Sequence, residues 1–419
     1  MAITLTTLII KKLDEDKKMR EILRDVKIDY KIPKFGKSDY EKESVDKKRE
    51  WLSQITKSEL KHIGCYSEDP RNMRGNIENL IGVSQVPLGI AGPLLIKGSY
   101  ANGYFFVPMA TTEGALILDY HMGMKLLTLS GGTRVKLLKD SVHISPMFYV
   151  KDLLDAEEFI EWIKKNISLI KREAEATTKH GKLLSVEPFL MGRRVVLKFS
   201  FFTEDAHGLN MINKASEAAC EFIKKETKRH YILRSHFSSI KCVSANTIHT
   251  GQAKSVFADV TISRRVVKKF FNVTPEDVEK YFISTLLTSA YAGRIAINAQ
   301  IANGIAAIFI ACGQDVADVS VSHVGVSMCE TNEDGDLYVS TYIPNLFVGT
   351  VGGGTGLSTQ RECLEIMGCF GPGKAKKFAE IIAGTILAGE ITVLLALVSG
   401  TYVKAHERYG RNRPEKYQT

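Results

Sequence analysis

Three strings in this chain end on side chains able to move protons. Met109-Ala110-Thr111-Thr112-Glu113-Gly114 carries a carboxylate, Gly313-Gln314-Asp315 carries another, and Leu387-Ala388-Gly389-Glu390 runs on to Lys404-Ala405-His406. A carboxylic acid with a raised pKa can protonate a developing alkoxide. An imidazole does the same for a leaving thiolate near pH 7. Taken singly, each has a plainer meaning: Glu113 as a first-turn carboxylate on a helix dipole, His406 as a capping or surface histidine. The Gly349-Thr350-Val351-Gly352-Gly353-Gly354-Thr355 loop would let a backbone approach a phosphate or flat ring closely, although glycine clusters are more often tight turns. There is no GxGxxG between a strand and a helix, which disfavours a Rossmann dinucleotide site. The seven cysteines include no CxxC pair. They fit buried or free thiols in a reducing cytosol, and no metal is expected.

These residues need a frame. At 419 residues, 44% apolar and 25% charged, the chain has the composition of a globular protein, with length for two or three domains. The net charge of +9 is modest for this size and reads as a solvated basic surface, with no nucleic-acid partner. The apolar stretch Ile381–Val403 is interrupted by Glu390, so a buried helix is preferred to a membrane span. Met1–Ile10 has no basic residue ahead of its apolar run, so no secretory leader is expected and the location is read as cytoplasmic. Lys11–Arg24 and Ser44–Ile55 read as charged amphipathic helices. From Asp155 to about Lys179 the spacing predicts one helix capped by Asp155. Strands at Lys182–Met191 and Arg193–Thr203 follow, then a helix at Met211–Lys228 and a strand at Ser239–Ala245. That α-β-β-α-β order describes a two-layer α+β unit. After it the helices turn apolar on nearly all sides, as in the centre of a larger domain.

Taken together and in order, these strings, with Glu78-Asn79-Leu80-Ile81-Gly82 and Asp205-Ala206-His207-Gly208-Leu209-Asn210, resemble the 3-hydroxy-3-methylglutaryl-CoA (HMG-CoA) reductase family, eukaryotic and archaeal class. The resemblance covers roughly residues 45–410. It implies an α+β fold with a helical N-terminal segment (1–80) and a large domain (81–145 with 255–419) around a central helix. A ferredoxin-like NADP-binding small domain (146–242) is inserted, and an active-site loop (243–254) reconnects the two. It implies a homodimer, possibly a higher oligomer, with active sites formed between subunits and the first string at the dimer contact. The implied reaction is reduction of an acyl thioester to an alcohol with two NADPH. Glu113 matches the family's acid, His406 the protonator of the thiolate, and Asp315 the aspartate that organises the site, the three being expected in one cleft. NADP(H) contacts are carried over to Asp205, His207 (where the family usually has methionine), Gly208, Asn210, Gly352 and Gly353. Thr178 and Lys179 match contacts to the 2′-phosphate. Substrate contacts fall on Ser244, Asn303 and Lys254.

Several positions depart from the pattern. Counting into Ser244-Ala245-Asn246, the family's catalytic lysine reads Gly251. The arginine for the substrate carboxylate reads Ile144, a second substrate lysine reads Ser284, and a histidine reads Gln300. The contacts to coenzyme A become Asp119, His121 and Met122. Without the lysine, Glu113 and Asp315 would share a pocket with no counter-charge, one of them protonated near neutral pH, and Lys254, His249 or Arg294 would partly replace the cation. Three readings stay open: HMG-CoA reduction by an altered site, reduction of a less acidic thioester on CoA or a carrier protein, and an inactive homologue keeping the dimer fold. The serine phosphorylated in animal enzymes reads Asn412, so that switch is expected to be absent.

Overall fold

The computed structural model describes residues 32–409; the Lys11–Arg24 helix and Asn412 lie outside them. Residues 32–85 and 86–409 form two compact units. In the first, α1 (Lys42–Thr56) buries Val45 and Lys48, the latter paired with Asp39 at 3.1 Å. Gly82, in the Glu78–Gly82 string, lies so close to the Ile63 carbonyl that no side chain fits.

The second unit is built on a ten-stranded sheet, ordered β7-β4-β6-β3-β8-β10-β9 with β1, β2 and β5 as side branches. Its strands are β1 (Leu88–Gly98), β2 (Asn102–Ala110), β3 (Thr133–Ile144), β4 (Met147–Tyr149), β5 (Lys182–Met191), β6 (Arg194–Phe202), β7 (Tyr231–Ile232), β8 (Ala253–Ile262), β9 (Val326–Thr331) and β10 (Leu337–Leu346). The helices are α2 (Leu116–Leu129), α3 (Leu153–Lys165), α4 (Ile167–Glu175), α5 (Leu209–Thr227), α6 (Ala245–Thr250), α7 (Arg264–Phe271), α8 (Pro275–Tyr291), α9 (Ile301–Ala311), α10 (Val319–Ser322), α11 (Ser358–Ile366), α12 (Ala375–Val398) and α13 (Tyr402–Tyr409). Strand β3 pairs with β8 along its first two-thirds and with β6 at its end. It thereby joins two apolar cores, one around α12 and one where α3, α4 and α5 cover β4, β5 and β6.

Helix α12 is long and apolar enough to cross a membrane, yet it is buried in the first core from Phe378 to Leu395. Its two glutamates are anchors: Glu380 accepts the N–H groups of Ser99, Tyr100 and Ala101, and Glu390 those of Ala299 and Gln300 plus the Ser327 hydroxyl. Buried charge is tolerated where every lone pair finds a donor. Gly389 leaves room for the Tyr120 ring of α2 against α12.

Three sequence expectations need correction. The single helix Asp155–Lys179 is two, broken at Asn166, and its cap is Asp152, whose carboxylate accepts the Asp155 N–H. Ser239–Ala245 is not a strand; the last strand of that unit is Tyr231–Ile232, and residues 233–244 form an irregular loop.

Candidate active site

The cofactor strings meet backbone to backbone. Thr350 N–H donates to the Asp205 carbonyl (2.8 Å), Ala206 bridges Val351, and a side chain at Gly349 would strike the His207 nitrogen. Gly208 starts α5 in the left-handed region (φ 86°). Gly352 (φ 80°) and Gly353 (φ 57°) leave open space where side chains would stand, an approach suited to a phosphate or a flat ring. Thr178 reaches the start of α5, its hydroxyl 3.0 Å from Met211 Sδ. Lys179 beside it and Asn210 in the first turn of α5 are exposed. These residues fit NADP(H): open glycine backbone, a helix N-terminus and a nearby cation. Asp205 acts differently from expectation. Its carboxylate accepts Gly373 N–H (2.6 Å) and Ala375 N–H (2.9 Å). It therefore caps α12 and ties the two loops together rather than offering oxygens to a ligand.

Asp315 lies beside these loops, because Gly313 packs flush on Gly354 and Gln314 accepts the Gly349 N–H at 2.9 Å. It has a counter-charge. Lys241 Nζ lies 2.5 Å from Asp315 Oδ2, both side chains 40% exposed. Partial burial pushes the Asp315 carboxyl up, but Lys241 and the Ala317 N–H outweigh it and hold it below the usual aspartate value. The expectation that Asp315 lacks a cation is therefore corrected. Lys241 precedes the Ser244-Ala245-Asn246 string, on the 233–244 loop. Gly251 never had room for a lysine: it ends α6 at φ 65°, and a side chain there would overlap Ser255 Oγ.

Lys254, expected at the substrate, is 1% exposed and paired with Asp140 (3.2 Å) inside the sheet, so it cannot reach a ligand. Ile144 is likewise buried, at the end of β3. The same strand begins with Arg134, a half-exposed guanidinium forked onto Asp259 at 2.7 and 3.1 Å that sequence reading passed over.

Glu113 and His406 share a different cavity, of about 310 Å³, with Asp119, Gln300, Asn303, Met122 and Phe271 among its lining. His406 Nδ1–H donates to the Tyr402 carbonyl (3.0 Å), which leaves Nε2 for proton transfer. The raised acid here is Asp119. Burial lifts it to about 6, assisted by Glu390 and Glu113 and opposed by the Gln300 amide (2.5 Å) and His406. Asp315 does not line this cavity, so one chain does not bring the three residues together in one cleft. An adjoining cavity of about 370 Å³ shares Ala299, Val393 and Tyr402 and carries Arg294, whose guanidinium donates to the Asn298 carbonyl. Ser244 lines a third hollow with Asn246, Lys198 and Phe237, and His249 is exposed on α6. Ser284 is exposed on α8.

This sheet-centred α+β fold is one that solved proteins share. The solved class II 3-hydroxy-3-methylglutaryl-CoA reductase of Streptococcus pneumoniae, in a structure bound to NADPH, shares the fold with a TM-score of 0.65 at 19% identity, covering 83% of this chain and 82% of that one. The particular family follows from sequence: residues 44–411 match the hydroxymethylglutaryl-coenzyme A reductase family, and this chain belongs to it. Relatives named 3-hydroxy-3-methylglutaryl-coenzyme A reductase include that of Methanocaldococcus jannaschii, 41% identical over 87% of this chain and 92% of its own. That of Pyrococcus abyssi is 42% identical over 84% and 89%, and that of Hevea brasiliensis 33% identical over 94% and 70%.

Proposed function

We propose that this chain is an NADPH-dependent reductase that converts HMG-CoA to mevalonate and free CoA, using Lys241 as its electrophilic cation. The observation that carries this is the Lys241–Asp315 pair, set beside the glycine cradle. Bound NADPH would supply hydride to the thioester carbonyl. Negative charge then grows on the carbonyl oxygen, where a fixed ammonium stabilises it; Asp315 holds that ammonium in place. Gly208, Asn210, Gly352 and Gly353 would hold the cofactor, with Thr178 and Lys179 at its 2′-phosphate. His406 protonates the departing thiolate through Nε2, Glu113 stands beside it, and Asn303 contributes a polar contact.

The Glu113–His406 cavity and the Lys241–Asp315 pair lack common lining residues, and the reaction needs both. A homodimer in which each site draws one half from each subunit supplies them. The exposed apolar row Ile283, Leu287 and Tyr291 on α8, 48%, 67% and 97% exposed, gives a second copy a face to cover. We place the enzyme in the cytoplasm. A second reading, a thioester on a carrier other than CoA, draws support from Asp119 and Met122, which put an acid and an apolar group where the family meets CoA. NADPH oxidation with HMG-CoA, with mevalonate identified as product, tests the first reading. Oxidation only with other thioesters would favour the second, and NADPH binding without any turnover would leave an inactive homologue.

A further inference from the structure

The cofactor loops hold one more pair of titratable residues that the reaction above does not use. Asp318 is wholly buried. Its Oδ2 lies 2.5 Å from His207 Nε2, and its Oδ1 has no hydrogen-bond partner among the described residues. A buried carboxylate is costly without a donor, and His207 is the one this carboxylate has. The His207 ring is fixed further by Phe347, 5.5 Å away between centroids, and its side chain is 26% exposed. One His207 nitrogen and one oxygen each of Asp315 and Asp318 lie within 4.8 Å of one another. Asp318, His207, Asp315 and Lys241 therefore lie in order from the interior to the ammonium, the outer two steps at 2.5 Å and the His207–Asp315 step within 4.8 Å.

We propose that His207, oriented by Asp318, is the positioning and proton-supplying residue that recharges the Lys241–Asp315 pair; this rests on the role of Lys241 given above. Reduction of a thioester to an alcohol by two hydrides consumes two protons. His406 gives one to sulfur. The other goes to the alkoxide oxygen from Lys241 Nζ, whose N–H bond breaks as the O–H bond forms. Neutral Lys241 then takes a proton from the His207 imidazolium through the Asp315 carboxylate. His207 keeps its Nε2 proton on Asp318 and regains the transferred one from water at its exposed edge. The net result is one proton moved from solvent to the alcohol. The charged groups around His207 are Asp318 on its 3-10 turn, Asp315 on the preceding loop and Lys241 on the 233–244 loop; the Phe347 side is apolar.

The test compares wild type, H207Q and D318N in NADPH oxidation with HMG-CoA across pH 6–9, with and without imidazole. H207Q is expected to lose about 10- to 100-fold in kcat, within the range for a proton-transfer group, with the KM for NADPH within about twofold. Added imidazole restores part of the loss, and D318N shows a smaller fall with a displaced pH profile. A protected ring-proton resonance of His207 is expected in wild type and is expected to shift in D318N and to be absent from H207Q. A native rate and profile in H207Q overturn the relay, as does a loss that imidazole fails to rescue. Loss of wild-type activity on chelation overturns it too, because the cluster would then be a cation site. Absence of wild-type turnover with every thioester is a separate result that removes the reductase reading itself.

Discussion

In the proposed mechanism Lys241 is the residue on which the chemistry turns. An ammonium 2.5 Å from a carboxylate held below its usual pKa is held in place, which is what an oxyanion needs. K241M is expected to lower kcat by a hundred- to a thousandfold, about 2.7–4 kcal/mol, with NADPH affinity nearly unchanged by fluorescence titration. Asp119 makes a second prediction. Its folded pKa of about 6 exceeds the ordinary 3.8, so between those values the native state binds more protons than the unfolded one. Stability then falls as pH rises through that window and stays reduced above it. D119N removes the penalty and keeps an amide for Gln300. Thermal melts should show the variant gaining on wild type by about 1–3 kcal/mol between pH 4 and pH 7.

Elements place these side chains by cross-linking distant segments, and α12 is the clearest case. Its N-terminal N–H groups would otherwise be unpaired; Asp205, 170 residues earlier, caps them. D205A should cost about 1–2 kcal/mol of stability, the usual value of a lost cap. It should also weaken NADPH binding, because the loop pair comes apart; calorimetry with parallel NADPH titration checks both. Much at this scale was legible. Regular spacing gave β5 to the residue, and α5 and β6 within two. The α+β class and the buried helix around Glu390 also follow from pattern. What escaped was irregular. Asn166 breaks a helix whose apolar spacing runs on through it, and the 233–244 loop has strand-like composition without a strand partner. Reading that loop as a strand gave no sign that it brings Lys241 to Asp315. Lys254 looked reactive for a similar reason: a charged residue in sequence shows nothing of the Asp140 that buries it. Glu113 and His406 line one cavity with Asn303, whereas Asp315, expected in the same cleft, lies with the cofactor loops.

At the scale of the whole molecule, the proposed proton donor for sulfur and the proposed cation for oxygen lie in different parts of one chain, and the proposed dimer would complete each centre from two chains. Two variants that are inactive alone then become informative together. K241M spoils the cofactor half, and H406Q spoils the thiolate half. In randomly mixed dimers half the molecules carry one of each, and each of these holds one intact centre of two, so about a quarter of wild-type activity should return. The decisive measurement is NADPH oxidation with HMG-CoA by K241M and H406Q, separately and after subunit exchange. Near-zero rates apart and recovery to about a quarter of wild type when mixed are expected. Full activity in K241M alone, or no recovery on mixing subunits that have demonstrably exchanged, would contradict it.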